Sequence, residues 1–98
     1  MEIGYADAAL ALIETNKAGA TKLPIAVIRS ARKKLDMLRA ATDDRTLRNW
    51  KGLHYEKLKG DRDGQRSIRL NDKYRLVFAL DNDADPKKVT ILAIEDYH

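Results

Sequence analysis

Between residues 48 and 75 the chain places nine lysines and arginines against four carboxylates, a local net charge of +5. They are Arg48, Lys51, Lys57, Lys59, Arg62, Arg66, Arg69, Lys73 and Arg75. Two histidines, His54 and His98, and four tyrosines complete the reactive inventory. Cations at this density suit a polyanion, and RNA is the commonest intracellular one. The same groups are sufficient to cut RNA. Its 2′-OH is an internal nucleophile held beside the adjacent phosphorus. A protein then supplies cations for the charge on the phosphorane and groups that move two protons. The set is not diagnostic, because it would equally bind RNA without cutting it or form a solvated face.

Other chemistries are excluded by what is missing. There is no cysteine, hence no disulfide framework, no thiolate nucleophile and no thiolate zinc ligand. No H-x-x-x-H spacing occurs, so no metal site is expected. Gly60-Asp61-Arg62-Asp63-Gly64 reads as a turn, not a phosphate loop. Ser30 and Ser67 lack the context of a nucleophile elbow. No cofactor is implied.

The elements that must carry these groups follow from pattern. Ninety-eight residues, 44% apolar and 35% charged, fit a single domain over residues 1–98. No apolar run approaches a membrane span of roughly 20 residues, and MEIGYADAAL lacks a basic leader. A reduced, cytoplasmic protein with no membrane partner is expected. Residues 3–5 form a short strand. Residues 7–17 form a helix that starts at the capping Asp7. Pro24 opens a second helix in which Ile28, Ala31, Leu35 and Leu38 share one face. Its basic run, Arg29, Arg32, Lys33, Lys34 and Arg39, reads as a wet face or as a nucleic-acid or partner surface. Residues 42–52 read as a polar connection, with Leu47 and Trp50 covering the core edge. Strands are expected over 53–59, 65–70, 73–80 and 88–94, with a hairpin at Asn71-Asp72. Leu53, Ile68, Leu70, Tyr74, Leu76, Phe78, Ile91 and Ile94 are the expected core. Two antiparallel helices on one face of a mainly antiparallel sheet of four to five strands make an α+β fold.

The stretch L-K-G-D-R-x-G-Q-x-S-I-R-L-N-x-x-Y-R-L-x-F, residues 58–78, with the closing Glu95-Asp96-Tyr97-His98, resembles the signature of the HigB branch of the RelE toxins. The likeness is close over residues 53–98 and looser over the helices. It implies a compact RelE-like toxin of a bacterial type II toxin–antitoxin pair. Such a toxin enters the A site of the 30S subunit of the ribosome and cuts translated mRNA without a metal. The implied partners are a cognate helix-turn-helix, HigA-like antitoxin, the ribosome and mRNA, with operator DNA reached only through the antitoxin.

The resemblance also implies roles. Arg75 matches an arginine that contacts the scissile phosphate, a task suited to a planar guanidinium. Lys59 matches a lysine that stabilises the phosphorane, with Lys57 two residues earlier able to share that role. His98 matches the terminal histidine that moves a proton at the leaving 5′-oxygen or the 2′-OH. Tyr97 stacks on a base or orients His98. Where the family often has a histidine this chain has Glu56, with His54 nearby, which leaves the general base open between them. Alternation along a 53–59 strand sets 54 and 56 on one face and 57 and 59 on the other. Arg66 replaces a frequent aromatic. Arg62, Arg66, Arg69 and Lys73 are the expected RNA-binding cations. Two other readings compete: a ParE-like toxin that poisons DNA gyrase without catalysis, and a degenerate antitoxin-binding protein in which Glu56 marks lost activity.

Overall fold

The computed structural model describes residues 1–62 and 64–96. Strand β1 (Glu2–Tyr5) leads into helix α1 (Ala8–Ala11), long helix α2 (Ile25–Ala40) and short helix α3 (Asp44–Asn49). Strands β2 (Glu56–Lys57), β3 (Gln65–Arg69), β4 (Tyr74–Asp81) and β5 (Lys88–Asp96) follow. The sheet order is β1-β5-β4-β3-β2, with β1 parallel to β5 and the other pairs antiparallel. This is the α+β arrangement expected.

Helix α2 forms because its apolar residues fall on one stripe. Val27, Ile28, Ala31, Leu35 and Leu38 are all buried. They pack on Ile68, Leu76, Phe78, Val89 and Ile91 from the sheet. Of the expected core, Tyr74 and Ile94 lie at the margin and the other six are buried. Ser30 on α2 donates 2.6 Å to the Leu70 carbonyl, which ties the helix to the β3–β4 hairpin. Within that hairpin Asn71 Oδ1 accepts from the Lys73 and Tyr74 amides, both at 2.8 Å.

Three local expectations need correction. The helix over 7–17 starts as foreseen, with Asp7 accepting from the Ala9 amide at 2.8 Å. It tightens to a 3₁₀ turn over Leu12–Glu14 and stops there. The cause is Thr15, whose hydroxyl donates to Leu12 O at 2.7 Å and accepts from the Lys17 amide at 3.0 Å. A hydroxyl that binds its own backbone competes with helix continuation. Arg32 then takes the stranded carbonyls of Ile13 and Thr15 at 2.7 and 2.8 Å.

Residues 42–52 are not a plain connection. Asp43 caps α3 by accepting from the Arg45 amide at 2.9 Å, Asp44 pairs with Arg48 one turn on at 3.1 Å, and Leu47 is fully buried. Trp50 is 37% exposed, so it does not close the core. The strand over 53–59 shrinks to Glu56–Lys57. Leu53 is anchored in the core and ends a 3₁₀ turn, and His54 takes a left-handed conformation with φ 47°. Histidine is among the few side chains enriched there.

Candidate active site

The helices cover one face of the sheet, and the cations of interest gather on the other. Side chains at directly opposed positions of paired strands share a face. The register Arg69↔Arg75↔Glu95 therefore sets a transverse row of two guanidiniums and a carboxylate across β3, β4 and β5. The next row is Glu56↔Ser67↔Val77↔Ala93. Gly60 (φ 72°) and Gly64 (φ 87°) let the intervening turn fold back. A cleft lies among Leu58, Arg62, Ser67, Arg75, Val77 and Glu95. Its volume of about 30 Å³ is close to that of one water.

Arg75 is only 7% exposed. Its Nε donates to Ser67 Oγ at 2.9 Å, and its Nη2 donates to the His54 carbonyl. The hydroxyl and the carbonyl fix where the guanidinium points. Arg69 donates to Asp72 and to Asn71 O, and its Nη1 lies 3.5 Å from His54 Nε2. Arg62 meets Glu95 with both terminal nitrogens, at 2.9 and 2.7 Å, and that carboxylate raises the Arg62 guanidinium above its ordinary pKa.

The expected site residues therefore divide. Arg62, Arg69, Arg75 and Glu56 share the open face. Lys59 is exposed next to Leu58 of the cleft. Lys57 pairs with Arg66 and Arg66 with Phe78, so these two positions belong to the helix-packed face. Arg66 Nη1 donates to Gly64 O at 3.1 Å, and its Nε is buried without a described partner. Lys73 is exposed in the hairpin. His54 does not alternate with Glu56 as a strand residue would; its backbone carbonyl, as well as its ring, enters the site. Tyr97 and His98 lie outside the described residues, directly after Asp96 at the end of β5. Ser67, set aside as a nucleophile in the sequence and given no other role there, is 1% exposed and holds Arg75 Nε. Its signal was a lone hydroxyl two strand positions from Arg69, which alternation brings to the Arg75 face.

Oriented cations on a partly open face can hold and polarise a phosphodiester, and a carboxylate one row away can accept a proton. The comparisons agree with the fold that carries them. The family model described as "RelE-like toxin of type II toxin-antitoxin system HigB" matches residues 6–95. Among solved structures, a YoeB/ParE toxin from Agrobacterium tumefaciens aligns over all of both chains, with 15% identity and a TM-score of 0.62. A YoeB-YefM complex from Staphylococcus aureus aligns over 100% of this chain and 98% of the other, at 18% identity and a TM-score of 0.58. The toxin–antitoxin complex RelBE2 from Mycobacterium tuberculosis covers 98% and 96%, at 18% identity and 0.52. No curated protein sequence matches significantly.

Proposed function

This chain belongs to the HigB-like family of RelE-type toxins of type II toxin–antitoxin systems, matched over residues 6–95, and from that premise we propose that it is a ribosome-dependent endoribonuclease. It cuts mRNA in the ribosomal A site, in the cytoplasm, and so inhibits translation. The observation that carries this reading is the Arg75 guanidinium, aimed by Ser67 and the His54 carbonyl and set beside Arg69. Two cations directly opposed on a sheet repel, and an anion bound between them removes that repulsion.

In the proposed step the 2′-oxygen bonds to the adjacent phosphorus and the P–O5′ bond breaks. The products are a 2′,3′-cyclic phosphate and a 5′-hydroxyl. Arg75 stabilises the charge on the phosphorane oxygens, with Lys59 assisting. Glu56, one row from Arg75, accepts the 2′-OH proton. His98 donates a proton to the leaving 5′-oxygen. His54 serves mainly as the backbone acceptor that orients Arg75. Arg62 and Arg69 hold flanking phosphates. A cognate helix-turn-helix antitoxin is the proposed inhibitor, in line with relatives crystallised as toxin–antitoxin complexes.

The test supplies purified protein with translating ribosomes and a defined mRNA, and maps 5′ ends by primer extension. Cuts within codons, lost in Arg75→Ala and on deletion of His98, are expected. An intact message under conditions where a known relative cuts it would sink the reading. A loss of gyrase supercoiling in the same preparation would replace it with the gyrase-poison reading.

A further inference from the structure

Around the sheet edge from Arg75 lies a second feature that the catalytic reading does not use. Lys34 and Met37 of α2 and Trp50, Lys51 and Leu53 of the following turn line a groove of about 350 Å³. Its lining is mainly apolar, and Trp50, the sole tryptophan, is exposed in it. Neither Lys34 nor Lys51 forms an ion pair among the described residues. An exposed indole has a large apolar face, and leaving it in water forgoes stabilisation unless something covers it.

The groove is joined to the proposed cutting face through the chain. Leu53 at its end directly precedes His54, which holds Arg75 through its carbonyl and approaches Arg69 through its ring. Three residues separate Trp50 from His54, a span of at most about 14 Å of chain. A single-stranded polyanion lying on Arg69 and Arg75 reaches the groove within a few nucleotides. A stacking surface between two ammonium groups is complementary to a nucleotide, with its base on the indole and its phosphates on the lysines.

We infer that the groove of Trp50, Lys34 and Lys51 is a nucleotide subsite that holds single-stranded RNA flanking the cut. This inference rests on the reading of the Arg75 face as an RNA site. It assigns Trp50 to positioning the strand and not to the chemistry.

Trp50 is its own reporter. The intact protein is titrated with a short single-stranded RNA made 2′-O-methyl throughout, so that it binds without being cut. Binding is followed by fluorescence anisotropy of a label on the RNA and by tryptophan emission. Saturable quenching of Trp50 that parallels the anisotropy is expected. Trp50→Leu weakens binding about tenfold, and Trp50→Phe, which keeps a ring to stack on, recovers most of that loss. Lys34→Gln and Lys51→Gln each flatten the slope of log affinity against log salt by about 0.7. In the ribosomal cleavage assay Trp50→Leu raises KM more than it lowers kcat. Binding by anisotropy with unchanged Trp50 emission overturns the subsite. So does equal quenching by a glutamate-rich peptide of the same charge, which would make the groove a protein-docking surface. Quenching without cleavage of any ribosome-bound message leaves the subsite standing and sinks the nuclease reading. Cleavage without quenching does the reverse.

Discussion

Near β1, Arg39 of α2 reaches Glu14 with both terminal nitrogens at 2.5 Å, and Tyr5 donates to the same carboxylate. On the opposite face of the sheet, the aiming bonds of Arg75 run to a hydroxyl and a carbonyl. The first cluster is closed upon itself. Arg39 holds the Glu14 carboxyl below its ordinary pKa, Glu14 raises Arg39, and burial together with Glu14 pushes the Tyr5 phenol up. In the second cluster those two bonds aim Arg75, with Arg69 beside it on a side chain 39% exposed. A carboxylate that takes two hydrogen bonds makes Arg39 a structural pin, whereas a hydroxyl and a carbonyl fix the direction of Arg75.

Substituting lysine in both clusters tests that contrast most severely. Arg75→Lys keeps the charge but loses the fork that Ser67 and His54 aim. Cleavage should fall by about 10²–10³-fold, the scale for removing one charge-stabilising donor, with a stability loss of about 1–3 kcal/mol because buried Ser67 Oγ and the His54 carbonyl lose their donor. Arg39→Lys should lower the melting temperature and leave cleavage within about twofold. If Arg75→Lys cuts normally, orientation is not what the Ser67 and His54 bonds provide.

Ser67→Ala comes next. It removes the acceptor at 2.9 Å and leaves Arg75 Nε unserved in a buried place. A loss of about 1–3 kcal/mol in stability is expected from denaturant titration, and about tenfold in cleavage because the guanidinium is no longer fixed. The equivalent removal on the other side, Glu14→Gln, should lower stability by about 1–2 kcal/mol near neutral pH and spare cleavage. The pH dependence has a definite sign. The folded pKa of Glu14 lies below the ordinary 4.5. Its contribution is complete above that value and is lost as pH falls through the folded pKa. Parent and Glu14→Gln should therefore converge in stability in acid. A difference that grows as pH falls would contradict the pairing.

The two clusters were unequally legible in sequence. Helix α2 and strands β3, β4 and β5 were readable because a 3.6 or 2.0 period is written in adjacent residues. The Arg75 position was readable through its flanking motif. Neither of its holders was. The His54 carbonyl comes from 21 positions away, and any residue able to adopt that left-handed turn offers the same oxygen. Ser67 looked like an outward strand residue, but it is buried in a cleft that Leu58 and Arg62 of the turn share with Arg75 and Glu95. Strand alternation misplaced His54 because Leu53, drawn into the core, ends a 3₁₀ turn before the strand begins. Helix α3 had its signals in Asp43, Asp44 and Arg48, but six residues with one buried leucine give no period to detect. The Thr15 hydroxyl overrode the helix propensity of the residues before it, which a count of helix formers does not register.

The smallest effect separates the clusters by charge alone. Asp72 pairs with Arg69 across three residues and is 93% exposed, so the pair adds at most about 1 kcal/mol. The hairpin does not depend on it, because Asn71 Oδ1 holds the Lys73 and Tyr74 amides. Asp72→Asn should thus change stability by no more than about 0.5 kcal/mol. It nevertheless deletes a negative charge beside the cationic row, so affinity for single-stranded RNA should rise a few-fold at low ionic strength. The gain should fade as added salt brings the screening length down to about 3 Å at 1 M. Asp36→Asn is the matched control: Asp36 is 79% exposed and lies 3.5 Å from Arg39, in the cluster assigned no RNA. Anisotropy titrations at two salt concentrations should detect the gain for Asp72→Asn alone. Equal gains in both variants would mean that RNA responds to net charge and that the row on β3 and β4 is not its binding surface.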